Sequence, residues 1–141
     1  FASCLYEKFA CACYSDPGVV FDENRPSVNY WEPWYLGYES GKNRQAGIPT
    51  DENPRTGAYK QLFETGHDLH ELHTLMAPRP FFVSGGSEDQ PSRWKALNHT
   101  MLVNKLLGYE NRVGMSNTRR NHSLTPETNE EICLFFEYFL T

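Results

Sequence analysis

The sequence predicts an α/β protein, half of a doubly wound parallel sheet with flanking helices. Three observations carry that expectation. Short apolar runs at 9–14, 81–83 and 112–115 alternate with helical periodicities over 57–76, 91–107 and 126–140. The run Phe81-Phe82-Val83 is apolar without alternation, the pattern of a strand covered on both faces. Asp89 and His122 each follow a strand-like run, where doubly wound sheets hold their ligands.

In chain order, residues 1–8 resemble the interior and end of an amphipathic helix, with no Met, no charged n-region and no signal-like apolar region among them. A start inside a helix leads us to expect a fragment, or earlier turns contributed by other polypeptide. Residues 9–14 read as a buried strand closed by Ser15-Asp16-Pro17-Gly18. From 19 to 56 the chain is rich in Pro, Gly, Asn and aromatics without a clear period. A connection this long is expected to be a functional excursion over the sheet edge. Leu62, Phe63, Leu69, Leu72 and Leu75-Met76 predict one helix over 57–76, ended by Pro78 and Pro80. A second helix over 91–107 turns Trp94, Leu97, Met101, Leu102, Val103, Leu106 and Leu107 inward, with Gly108 closing it. After a strand at 112–115 comes a polar loop, 117–125, containing His122. The last helix, 126–140, has Thr125 as N-cap and Pro126 in its first turn, with Glu127, Glu130 and Glu131 near its positive end. Its apolar stripe is Ile132, Phe135, Phe136, Phe139 and Leu140.

The 141 residues suit one domain with a real core. Composition is that of an ordinary globular chain, 39% hydrophobic and 22% charged, with net charge −5. The acidic balance argues against a nucleic-acid partner, because only Arg119-Arg120 concentrates basic charge. No apolar stretch approaches the roughly 20 residues needed to cross a bilayer. Cys4, Cys11, Cys13 and Cys133 form no Cys-x-x-Cys pair. Cys11 and Cys13 share one face of the expected strand, too cramped for an easy disulfide, so all four read as free thiols. Nothing calls for a cofactor or a metal.

The residues that could carry chemistry are a base and a carboxylate. His is the natural general base near neutral pH, and a carboxylate fixes its tautomer and stabilises the imidazolium. His122 follows Asp89 by 33 residues, room for one helix and one strand, which makes Asp89 the preferred acid. Asp16, after the preceding strand, is its rival; Glu88 is a weaker one. His67, His70 and His73 recur every three residues, a spacing that drifts around a 3.6-residue helix, so they read as polar support rather than zinc ligands. Trp31, Trp34 and Trp94, with Tyr30 and Tyr35, could stack on sugar rings, line an acyl pocket or simply pack a core. Asn98-His99-Thr100 and Asn121-His122-Ser123 fit the glycosylation pattern, which is read as chance, since a glycan beside His122 would block it.

The string from Asp68-Leu69-His70-Glu71-Leu72-His73 through Ala77-Pro78-Arg79-Pro80 to Gly85-Gly86-Ser87-Glu88-Asp89 resembles the late half of bacterial α/β-hydrolases. It is most similar to carbohydrate esterases of the glucuronoyl-esterase and acetyl-xylan-esterase type. Trp94-Lys95-Ala96-Leu97-Asn98-His99-Thr100 and Leu106-Leu107-Gly108-Tyr109 fall where those enzymes carry the helix after the acid strand. The resemblance covers most of 1–20 and 57–141, and implies the C-terminal half of a doubly wound α/β-hydrolase sheet. It makes His122 the general base and Asp89 the orienting acid. In fungal-type glucuronoyl esterases the acid is a Glu after the earlier strand, the place Asp16 holds. It implies a carbohydrate or other small ester as substrate, and the short apolar stretches already argue against a membrane partner. Gly-x-Ser-x-Gly and the oxyanion hole have no counterpart here, so the partial domain is expected to be inactive without an upstream Ser. A peptidase, a dienelactone-hydrolase relative and a non-catalytic carbohydrate-binding module are the other readings.

Overall fold

A computed structural model describes residues 1–20, 51–52, 61–62 and 64–141. Its contacts divide the chain into two units, Phe1–Val20 with Leu69–Thr141, and Phe21–Asp68. The first unit runs α1 (Ala2–Leu5), β1 (Ala12–Ser15), α2 (Leu69–Thr74), β2 (Phe81–Ser84), a 3-10 helix (Pro91–Leu97), α3 (Asn98–Leu106), β3 (Val113–Ser116) and α4 (Pro126–Leu140). Apart from Val19, Val20, Asp51 and Glu52, the excursion expected over 19–56 lies outside the described residues, and Trp31 and Trp34 lie there with it.

The three strands are parallel in the order β1-β2-β3. Ala12 pairs with Phe81 and Phe81 with Val113, so these three share a face, as do Tyr14, Val83 and Met115. The core sits on that face. Phe81, Val83 and Met76 are fully buried there with Cys4, Val19 and Leu97 around them, each large side chain contributing about 1.5–3 kcal/mol. The His73 ring lies 5.5 Å from that of Phe81 and brings α2 onto this side. Phe82, one residue on, points the other way and stacks on Phe135 of α4 at 5.6 Å. Helices thus cover both faces of a parallel sheet, which is the α/β architecture. Among the described residues no helix is long and apolar enough to cross a membrane.

Local chemistry sets the ends of α4. Thr125 Oγ1 accepts from the Thr128 amide while Thr128 Oγ1 accepts from the Thr125 amide, and Pro126 follows at the first helical position. The single helix expected over 57–76 is instead two segments. Residues 61, 62 and 64 are helical, then Gly66 turns left-handed at φ +76° and the His67 amide donates to Leu62 at 2.9 Å, a glycine-capped helix end. The helix expected over 91–107 starts as a 3-10 helix and becomes α only at Asn98. Its inner face differs as well. Leu97, Thr100 and Asn104 are buried, whereas Met101, Leu102, Leu106 and Leu107 are exposed. Polar chemistry on α2 accounts for this: Thr100 Oγ1 bonds His73 Nδ1 at 3.0 Å and Thr74 Oγ1 at 2.9 Å.

At the amino end of β2, Arg79 of the Ala-Pro-Arg-Pro run fixes α1. Its Nη1 donates to the carbonyls of Ser3, Tyr6 and Phe9 at 2.9, 3.1 and 3.2 Å, and Nη2 donates to Leu75 at 3.0 Å. One guanidinium thereby satisfies carbonyls that the short α1 leaves open.

Candidate active site

β1, β2 and β3 end together at Ser15, Ser84 and Ser116, and the polar residues that follow them gather at that edge. Asp16 is left-handed at φ 49°, a conformation Asp tolerates better than most residues, and its carboxylate is buried. Oδ1 accepts from the amides of Gly86, Glu88 and Asp89 at 2.8, 2.9 and 2.8 Å, and Oδ2 from Ser87 Oγ at 3.1 Å. Oδ2 also meets His122 Nδ1 at 3.1 Å. A carboxylate can only accept, so Nδ1 is the donor in this contact, and in the neutral ring that leaves Nε2 as the basic nitrogen. The His122 side chain is 70% exposed while that of Asp16 is 0% exposed. The pair thus presents a basic nitrogen from a ring whose other nitrogen is fixed by a buried anion.

Asp89, the acid preferred from sequence, does not face the ring. It is fully buried, and its two oxygens accept the amides of Gly18 and Val19 at 2.6 and 2.7 Å. Asp16 holds the loop after β2, and Asp89 holds the turn after β1, so the two carboxylates clamp each other's loops. Burial works against ionising either. For Asp16 the amides of Asp89, Glu88 and Gly86 and the His122 bond outweigh burial, holding the carboxyl below the usual range. For Asp89 burial prevails over the Val19 and Gly18 amides; with the nearby Asp16 charge it pushes the carboxyl up.

His122 follows β3 and Asp16 follows β1, with β2 between them, roughly 10 Å of sheet to cross. Gly86 leaves room for the crossing: a Cβ there would lie 2.4 Å from the Asn121 carbonyl and 2.9 Å from Asp16 Oδ2. Asn117 Nδ2 ties the same loop by donating to the carbonyls of Asp89 at 2.5 Å and Gly86 at 3.3 Å. Arg119, 4% exposed, is the residue that sequence reasoning passed over. Its Nη2 donates to Ser15 Oγ at 2.8 Å and to the Ser84 carbonyl at 2.6 Å, and its Nη1 to the carbonyl of His122. In sequence it is only one half of a basic pair, and nothing local marks it as buried.

Trp94 stands 50% exposed on the 3-10 helix. His73 is buried against Thr100, and the ring of His70 meets that of His99 at 5.5 Å, so the histidine series does not converge. Among the described residues no group of three or more His, Cys, Asp or Glu could hold a metal. Two clefts open elsewhere. One of about 490 Å³ lies beside Met101, Leu102, Tyr109 and Arg112, and one of about 410 Å³ beside Val20, His70, Arg93 and His99.

Fold and site together define a class, α/β proteins that hold a histidine–carboxylate pair beyond the carboxyl ends of parallel strands. Comparison of the chain with family models, curated proteins and solved structures finds no match.

Proposed function

We propose that this chain carries the acid–base pair of a serine-type ester hydrolase on a doubly wound α/β-hydrolase sheet, acting on a carbohydrate ester. The observation that carries the reading is the bond from His122 Nδ1, on a largely exposed ring, to the buried, amide-held Asp16. In this mechanism Nε2 takes the proton of an attacking Ser hydroxyl and returns it to the leaving alcohol, while Asp16 stabilises the imidazolium between the two steps. The nucleophile is not offered within these residues as Gly-x-Ser-x-Gly, so the proposal places it on polypeptide outside them. The carbohydrate substrate rests on the aromatic residues and on the resemblance of residues 68–89 to carbohydrate esterases.

The test is turnover of 4-nitrophenyl acetate and a uronic acid methyl ester by the chain together with whatever polypeptide supplies the proposed nucleophile. His122→Ala and Asp16→Asn are each expected to lower kcat by about 10³–10⁴-fold, with Asp89→Asn retaining the greater part of turnover. Loss in Asp89→Asn alone would return the acid to Asp89. Sugar binding without turnover, unchanged in His122→Ala, would favour a binding module.

A further inference from the structure

We infer that Arg119 is the positioning residue that sets where His122 stands, an inference that takes the His122–Asp16 pair as the functional centre. The His122 ring is 70% exposed, so packing does little to hold it. Its place depends on the Asp16 bond and on where the backbone of the loop runs. Arg119 controls the second of these. It lies three residues before His122 and donates to the carbonyl of His122 itself. The other arm of the guanidinium is anchored to Ser15 at the end of β1 and Ser84 at the end of β2. A single planar group therefore ties the histidine's backbone to the strand that delivers Asp16 and to the strand lying between them.

The chemistry of these contacts argues for a role beyond filling space. All three acceptors are neutral, a hydroxyl and two carbonyls, yet the side chain is 4% exposed. Burying a cation without a carboxylate partner costs stability, and an apolar side chain would fill the volume at lower cost. The guanidinium supplies donors in a fixed fork that can span three chain segments, which the point charge of lysine cannot do. Arg119 has no contact with Nε2, so it acts through the placement of the ring and not on a reacting atom.

The experiment compares the wild-type chain with Arg119→Gln and Arg119→Lys by two-bond ¹H–¹⁵N correlation spectra of the histidines. The wild type is expected to show His122 protonated at Nδ1. Both variants are expected to shift it toward the Nε2-protonated form that free imidazole favours, with near-UV circular dichroism unchanged. Where turnover is measured, kcat is expected to fall roughly 100-fold with KM nearly constant. A native-like variant that keeps the Nδ1 tautomer overturns the inference. If Arg119→Gln does not fold, Arg119→Lys decides alone, since it keeps the charge and loses the fork. The spectra need no activity, so a hydrolase that never turns over ester would sink the proposed function and leave this result readable.

Discussion

Burial penalises Asp16 and Asp89 alike as anions, but Asp16 receives three amides, a hydroxyl and the imidazole, and Asp89 receives two amides. Their carboxyls consequently move in opposite directions, Asp16 down and Asp89 up. A depressed carboxyl stabilises the fold above the ordinary carboxylate range near 4, and that contribution is lost as pH falls through its folded value. A raised carboxyl does the reverse, favouring the fold while protonated and losing that stability as pH rises through its folded value. In urea denaturation the deficit of Asp16→Asn relative to wild type is therefore expected to widen as pH rises through this range, exceeding about 2 kcal/mol at pH 7. The deficit of Asp89→Asn is expected to narrow over the same range. Deficits that move in parallel would show that the two carboxylates are not distinguished as described. The sequence places both acids beside strands, and its spacing favours Asp89, the one that does not bond His122. The choice depends on the left-handed turn at Asp16 and on the gap above Gly86, and both exist only once three strands lie side by side.

Elements whose ends are fixed locally were readable. Thr125-Pro126 starts α4 through contacts within four residues, and the uninterrupted Phe81-Phe82-Val83 marks a strand packed on both faces. The apolar period of α3 points the wrong way because such a period assumes an apolar partner. Here α2 presents His73 and Thr74, both bonded to Thr100 of α3, and Leu102 and Leu106 point outward. The polar seam has a titration consequence. Burial, with the charges of His70 and His99 adding to it, takes His73 down to about 4. A histidine neutral in the fold takes up its proton on unfolding, so its stabilisation is complete above about 6.5 and is lost as pH falls toward 4. Between pH 7 and pH 5 the unfolding free energy is expected to drop by about 2 kcal/mol from this group. His73→Phe should remove that slope in a pair of urea titrations, and an unchanged slope would place the titration on another residue.

Across the whole molecule, polar clamps close the sheet at both ends. The Asp16–Asp89 exchange joins the carboxyl ends of β1 and β2, and Arg79 joins α1 to the entry of β2, each across about 70 residues of sequence. Cysteines report on these regions separately. Cys133 is exposed on α4, Cys4 is buried on α1, and Cys13 lies on β1 with its thiol pushed up to about 11, chiefly by burial. A thiol reagent at pH 7 is expected to modify Cys133 at once and the other three only when their surroundings open. α1 is four residues long, too short to persist without tertiary support, so its attachment rests on Arg79, the core contact of Cys4 and the 2.7 Å bond between Ser3 Oγ and Tyr14 OH. Replacing Arg79 with Met leaves the carbonyls of Ser3, Tyr6 and Phe9 without this donor, at a cost of about 2 kcal/mol, roughly a 30-fold larger open population. Cys4 labelling is then expected to accelerate by about that factor while Cys13 keeps its wild-type rate. Equal acceleration at both thiols would mean that α1 and β1 open together, so that the Arg79 clamp holds the whole sheet rather than its first helix.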